Sequence, residues 1–136
     1  MKMSRSDDLE SLARTVVDCG YRLHRDVGPG LLESVYEILL AEYLRECDLA
    51  VERQVKVPIV HKGKTLDEAF RADIVVERKL LIELKTAERF SPTHGRQVLT
   101  YLRLMDLPLG LLMNFIQGTF RDGLKRVAND YYGRIG

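Results

Sequence analysis

The chain has 136 residues, and we expect all of them to form a single domain with its core at about residues 9–127. Its 46% hydrophobic and 30% charged residues are typical of a soluble globular protein. Lys and Arg number 21 against 20 Asp and Glu, a net charge of +1. Because dedicated nucleic-acid binders usually carry a basic excess, this balance predicts weak binding by the chain alone, or a partner that supplies affinity.

Several protein classes are excluded by simple patterns. No apolar run approaches the ~18 residues of a membrane span, and the first eight residues lack the apolar core of a signal peptide. We therefore expect a cytoplasmic protein without membrane contact. Cys19 and Cys47 are too few for a zinc set or a disulfide framework, and both are expected to be buried thiols.

Two helices are predicted at the start of the chain. Apolar residues recur at helical spacing over Leu9–Leu23, and again from Leu31 to about Cys47. Gly28-Pro29-Gly30 separates the two helices, because glycine and proline end one helix and permit a turn.

Strands are predicted next. Alternating apolar residues indicate a strand over Ala50–Val60. A turn at residues 61–64 leads into a second strand, Thr65–Val76, with a bulge expected around residues 67–69.

The later elements are a helix and a buried strand. Ser91 before Pro92 is a strong helix start, which predicts a helix over Pro92–Met105. Leu109–Ile116 is almost continuously apolar, as expected of a strand covered on both faces. Residues 118–127 are amphipathic and basic, and no element is assigned to them. The resulting order predicts an α/β sandwich with a mixed central sheet.

The most informative stretch is a predicted hairpin. Two β-favouring runs, Ala72–Val76 and Leu80–Leu84, flank three charged residues. A three-residue loop would place Asp73 opposite Glu83, and alternation would put Lys85 on the same face. No glycine fixes this turn, so a slip of one residue remains possible.

These three charges have two interpretations. Carboxylates that face each other across a strand pair repel and are costly to bury without a partner. A divalent cation resolves this conflict because Mg²⁺ prefers carboxylate oxygens, and Lys85 then stabilises negative charge at a scissile phosphate. The alternative is a cross-strand salt bridge between Lys85 and the two acids. The three residues alone favour neither.

The same residues resemble a known family. Asp73 followed by Glu83-Leu84-Lys85 on the next strand resembles the D…(D/E)-x-K core of the PD-(D/E)XK nuclease superfamily. Residues 30–36 spell G-x-x-E-x-x-Y, which names a family of small bacterial proteins in that superfamily. Residues 97–101 match its Q-x-x-x-Y element, and residues 110–115 resemble its closing strand.

The likeness covers roughly Asp18–Val127 in the order that the family requires. It departs from the family at Ala72, where proline is usual, and this change removes no metal ligand.

The resemblance implies a restriction-endonuclease-like core, in the order α-α-β-β-β-α-β, and hydrolysis of nucleic-acid phosphodiesters with Mg²⁺ or Mn²⁺. DNA is favoured over RNA. The implied metal ligands are Asp73, Glu83, Glu33 and the backbone carbonyl of Leu84. The implied catalytic residues are Asp73, Glu83, Lys85 and Glu33, with Gln97 and Tyr101 in second rank.

Each implied role has a structural alternative. Glu33 also suits the first turn of a helix, where the helix dipole favours a carboxylate, and Gln97 and Tyr101 also suit a helix surface. Tyr36 is expected to pack or hydrogen-bond at a helix–sheet contact. For the whole chain, the alternatives are a catalytically silent nuclease-fold module that binds nucleic acid or a protein partner, or a homodimer formed through the first helix or last strand.

Overall fold

The computed structural model describes residues 5–89 and 91–130, with side chains from residue 8 onward. The helices are α1 (Arg5–Val27), α2 (Glu33–Glu46) and α3 (Pro92–Met105), with a short 3-10 helix at Arg121–Gly123. The strands are β1 (Val51–His61), β2 (Lys64–Val76), β3 (Leu80–Lys85), β4 (Leu109–Asn114) and β5 (Leu124–Ala128). No helix in the described part is long and apolar enough to cross a membrane.

The five strands form one mixed sheet in the order β1-β2-β3-β4-β5. The β3–β4 pair is parallel, and the other neighbouring pairs are antiparallel. The predicted mixed sheet and the predicted element order through β4 are confirmed. Strand β5 was not predicted, because its sequence, Leu-Lys-Arg-Val-Ala, has too few buried apolar positions to distinguish it from a basic surface segment.

Helices cover both faces of the sheet. On one face, α1 and α2 pack over a cluster that includes Ile74, Ile82 and Met113. On the other face, α3 packs over a cluster that includes Val75 and Leu81. Strands β3 and β4 are apolar on both sides and buried almost throughout, as expected for central strands under helices.

The β2–β3 hairpin has the predicted register, with Ile74 opposite Ile82. Glu77 and Arg78 adopt left-handed backbone conformations, with φ of 53° and 52°, although neither is glycine. Ala50 fixes this turn: the Glu77 N–H donates to the Ala50 carbonyl at 2.8 Å, and Glu77 Oε2 accepts from the Ala50 N–H at 3.2 Å. These two hydrogen bonds to Ala50, just before β1, stabilise a left-handed turn that would otherwise favour glycine.

The predicted bulge is also present. Val57 pairs with Phe70 and Ile59 with Leu66, so residues 67–69 of β2 lie opposite the single residue Pro58. The irregular register suits proline, which has no N–H to donate to the ladder.

Helix α3 has the predicted bounds. Ser91 Oγ accepts a hydrogen bond from the Thr93 N–H at 3.2 Å, and His94 Nδ1 accepts one from the Ser91 N–H at 3.3 Å. Two N–H groups of the helix start are thereby satisfied. Strand β4 ends two residues earlier than predicted, at Asn114, whose Nδ2 donates to the Ala87 carbonyl beyond β3.

Candidate metal centre and active site

Asp73 and Glu83 lie side by side where β2 and β3 separate. Backbone pairing between these strands stops at Ile74 and Ile82, and side chains replace it beyond that point. The Asp73 N–H donates to Glu83 Oε1 at 3.2 Å, and the Leu84 N–H donates to Asp73 Oδ2 at 2.9 Å. The predicted pairing of the two carboxylates is therefore present, and each is oriented by a backbone N–H.

The chain around Asp73 does not alternate regularly. Ala72 packs in the α3-side cluster with Val75, whereas strict alternation would place it with Ile74 on the opposite face. In the β1–β2 pairing, Arg53 lies opposite Ile74 and Val55 lies opposite Ala72. Gln54 therefore lies opposite Asp73, and its backbone is left-handed, with a φ of 52°. The simple expectation that Asp73 shares one face with Glu83 and Lys85 therefore needs correction: Asp73 lies at a break between the strands.

Burial raises the pKa of Asp73 to about 6. The hydrogen bond from the Leu84 N–H opposes this rise, while the negative charges of Glu37 and Glu33 add to it and the charge of Lys85 lowers the pKa.

Glu83 is the more perturbed acid. Its side chain is buried, with 4% of the residue exposed, and burial raises its pKa to about 8, helped by the charge of Asp73. The Asp73 N–H and Lys85 act in the opposite direction. Because burial and the charge of Asp73 both disfavour the ionised form of Glu83, Glu83 retains a proton near neutral pH.

Lys85 lies next to both acids without forming an ion pair. It is half-buried, and its charge lowers the pKa of Asp73 and of Glu83. Among residues 8–89 and 91–130, no ion pair within 4 Å involves Lys85. The cross-strand salt bridge is therefore absent from the described part, and the ammonium is near enough to affect the acids electrostatically.

Glu33 approaches the pair from the first turn of α2. It is exposed, and its charge raises the pKa of both Asp73 and Glu83. The residues that the structure describes contain no group of three or more His, Cys, Asp or Glu side chains already gathered as a metal site. Glu33 is thus a neighbour of the acid pair and is not assembled with it.

Glu37, one helical turn after Glu33, is a functional candidate that the sequence did not single out. It is buried, and its Oε2 accepts from Arg53 Nε at 3.0 Å and Nη2 at 2.8 Å, while Oε1 accepts from Gln54 Nε2 at 2.6 Å. Neighbouring strand residues normally point to opposite faces, and the left-handed conformation of Gln54 lets both reach one carboxylate. The sequence did contain one signal for this role: Glu37 is four residues after Glu33, so both lie on the same face of α2.

Tyr101 of α3 lies within electrostatic range of the acids, and Gln97, one turn before it, is exposed. The Tyr101 ring stacks on Phe70 with the ring centroids 3.6 Å apart. Burial raises the pKa of Tyr101, as do the charges of Glu83 and Asp73, and a hydrogen bond with Gln97 lowers it. The two α3 residues therefore interact with each other, and Tyr101 lies within electrostatic range of the acid pair.

Tyr36 has the structural role that was predicted. Its hydroxyl donates to the Gly28 carbonyl at 2.5 Å and accepts from the Leu31 N–H at 3.2 Å, while its ring stacks on Phe115. These bonds hold the loop before α2, where Gly30 has a φ of 114° that favours glycine. The G-x-x-E-x-x-Y pattern thus fixes the position from which Glu33 projects.

The described residues line a small and a larger cavity near the sheet. A small one of about 200 Å³ lies where the loop before α2 meets the chain after β3, lined by Gly30, Leu31, Tyr36, Thr86 and Ile116. A larger one of about 680 Å³ lies between α1 and the β4–β5 region. None of the candidate residues lines the larger cavity, so its size does not identify it as the site.

A protein-family model of the PD-(D/E)XK nuclease superfamily matches residues 10–127. The chain belongs to the PD-(D/E)XK nuclease superfamily. No curated protein and no solved structure matches the chain significantly. The mixed sheet with helices on both faces is consistent with the restriction-endonuclease-like fold of this superfamily, so the predicted fold class is confirmed.

PD-(D/E)XK nucleases typically use divalent metals, and the donor chemistry here fits such an ion. A half-buried carboxylate, Asp73, and a buried one, Glu83, lie together with raised pKa values, and neither has a cationic partner within 4 Å in the described part. A divalent cation would offset the cost of holding charge at these desolvated positions, which is the main cause of both raised pKa values, and carboxylate oxygen is the donor that Mg²⁺ and Mn²⁺ prefer.

Proposed function

We propose that this protein is a metal-dependent nuclease that hydrolyses phosphodiester bonds, with DNA favoured over RNA. The observation that carries the proposal is the contact between half-buried Asp73 and buried Glu83, whose carboxylates are oriented by backbone N–H groups within electrostatic range of Lys85. Superfamily membership supports nuclease chemistry in general, and the acid pair supports its dependence on Mg²⁺ or Mn²⁺.

The proposed metal ligands come from three elements. Asp73 and Glu83 supply carboxylate oxygens from the hairpin, and Glu33 supplies a third from α2. The Leu84 N–H points to Asp73, and because the N–H and C=O of one strand residue point the same way, the Leu84 carbonyl is directed to that side as well. The bound cation would lower the pKa of a water and polarise the phosphate.

The remaining residues act on the substrate. Lys85 offsets negative charge that develops on the phosphate, and its partly buried position strengthens that effect. Gln97 and Tyr101 hold a phosphate oxygen or the Lys85 ammonium from the α3 side. The Glu37–Arg53–Gln54 network fixes β1 next to Asp73.

Cleavage of labelled single- and double-stranded DNA and RNA tests the proposal. With Mg²⁺ or Mn²⁺ we expect the wild type to cleave, and Glu83→Ala and Lys85→Ala to lose at least about a hundredfold in rate, as is common when a group that stabilises transition-state charge is removed. Glu42→Ala and Lys64→Ala, at exposed positions of α2 and β2, are matched controls that should retain the rate. Equal rates in all four variants would refute the assignment.

We further propose that the chain belongs to the G-x-x-E-x-x-Y group of small bacterial proteins and folds as a single domain over residues 1–136, with a core at about 9–127. The left-handed Gly30 and the hydrogen bonds of Tyr36 support the first statement. One sheet with helices on both faces supports the second.

A catalytically silent module that binds nucleic acid or a protein partner is the second candidate, and the net charge of +1 favours it. Calorimetric titration with Mn²⁺ separates the two candidates. Absence of binding, or binding that Asp73→Ala leaves unchanged, would favour the module.

A further inference from the structure

The two cysteines are in contact, although 28 positions separate them in the chain. Cys19 lies on α1 and Cys47 immediately follows α2, and their sulfur atoms are 3.7 Å apart. Both are free thiols; Cys19 is buried and Cys47 is partly exposed. The expectation of buried thiols did not anticipate that the packing of α1 on α2 would bring them together.

A guanidinium lies against both sulfurs. Arg22 Nη2 is 3.4 Å from Cys19 Sγ and 3.8 Å from Cys47 Sγ. Its Nε donates to Asp18 Oδ2 at 3.0 Å, and its Cζ lies 5.7 Å from the centroid of the Tyr43 ring. Arg22 is therefore held over the thiol pair from two directions, and its positive charge opposes the rise in the pKa of Cys19.

We propose that Cys19 and Cys47 are a reversible disulfide site, which a peroxide oxidises to link α1 to the end of α2. A disulfide needs sulfur atoms about 2.05 Å apart, so the two sulfurs, now 3.7 Å apart, must approach by roughly 1.7 Å. The site is independent of the acid pair and of the proposed nuclease activity.

The oxidation balances with one molecule of hydrogen peroxide. The Cys47 thiolate, the more accessible sulfur, attacks one peroxide oxygen; the O–O bond breaks, and the departing hydroxide takes a proton to become water. Cys47 is left as a sulfenic acid. The Cys19 sulfur then attacks the Cys47 sulfur, the S–O bond breaks, and the Cys19 proton leaves with the hydroxide as a second water. The two thiols supply the two electrons that the peroxide accepts.

The order of attack follows from burial. Burial, together with the neighbouring Cys47, raises the pKa of Cys19 to about 11, which disfavours Cys19 as the sulfur that attacks the peroxide first. Thiol–disulfide chemistry depends on which sulfur is accessible and ionised, and Cys47 has the better access.

The test is oxidation of the folded, fully reduced chain by stoichiometric hydrogen peroxide. We expect titratable thiols to fall from two to none and the intact mass to fall by two hydrogens, with no intermolecular disulfide formed. Dithiothreitol should restore both thiols. The oxidised chain should melt roughly 5–10 °C higher, because the bond closes a loop of about 30 residues.

Two variants examine the mechanism. Cys19→Ser should leave Cys47 as a sulfenic acid that dimedone labels, because the resolving thiol is missing. Arg22→Gln should slow disulfide formation at least about threefold, because the guanidinium next to Cys19, the sulfur that attacks the sulfenic acid, is removed. Two thiols that survive peroxide, an exclusively intermolecular disulfide, or oxidation no faster in the folded chain than in urea would each overturn the proposal.

Discussion

The Glu83 carboxyl group makes the stability of the chain depend on pH. Its pKa is raised from an ordinary value of 4.5 to about 8, so its contribution to folding is fully present below about pH 4.5 and is lost as the pH rises through about 8. The metal-free protein should therefore lose stability between these two pH values.

Glu83→Gln tests this dependence. The amide removes the titrating charge while its oxygen can still accept from the Asp73 N–H, so we expect the free energy of unfolding to rise by roughly 2–4 kcal/mol at pH 9 and to change little at pH 4.5. Urea denaturation at the two pH values measures both effects. Glu42→Gln, on the exposed side of α2, is the control. A Glu83→Gln effect of the same size at both pH values would contradict the raised pKa.

The Glu37–Arg53 pair should stabilise the fold measurably. In a double-mutant cycle with Glu37→Gln and Arg53→Met, we expect a coupling free energy of roughly 1–2 kcal/mol, because the carboxylate is buried while the arginine side chain remains 33% exposed. The pair Arg78–Glu52, both exposed and 3.6 Å apart, is the control and should give about 0–0.5 kcal/mol. Equal couplings would show that burial of Glu37 adds nothing.

At the scale of single residues, the sequence pattern predicted some side-chain contacts of the site and missed others. The contact between Asp73 and Glu83 followed from strand register, which a three-residue loop sets. The contacts of Glu37 could not be predicted from the sequence pattern, because they depend on a left-handed Gln54 in strand β1. The residue type of Gln54 does not predict a left-handed backbone. The structure shows this conformation together with the hydrogen bonds from Arg53 and Gln54 to Glu37.

At the scale of elements, the contact between α3 and β4 depends on Gly110. A Cβ at this position would lie 2.7 Å from Val98 Cγ1 of α3, which forces the helix and strand apart. We expect Gly110→Ala to lower the free energy of unfolding by roughly 1–3 kcal/mol. Gly118→Ala is the control, since a Cβ there meets no atom within 4 Å. Equal denaturation midpoints for the two variants would contradict this close approach.

Elements with strong end signals were predictable. The Ser91–Pro92 start gave α3 its correct bounds, and the apolar run from Leu109 gave β4 its start. The β5 strand was not predictable from pattern, because its pairing with β4 is a tertiary contact that its own five residues barely indicate. The bulge at residues 67–69 was predicted from its own sequence, and the structure places Pro58, which cannot donate to a ladder, opposite it.

At the scale of the whole molecule, the fold class could be predicted because the elements and the short motifs agreed with one another. The break in alternation at Asp73 could not be predicted, because predicting which face a strand residue occupies assumes that side chains alternate regularly along the strand. The central claim for the whole chain is that the acids of β2 and β3, with Glu33 of α2 as their neighbour, bind one divalent cation.

Calorimetric titration of Mn²⁺ into the metal-free protein at pH 8 tests that claim most directly. We predict saturable binding at one site, lost in Glu83→Gln and in Asp73→Asn, retained in Lys85→Met, and weaker at pH 6, where protons compete for the raised-pKa carboxylates. Absence of Mn²⁺ binding, or binding that survives both acid substitutions, would contradict it.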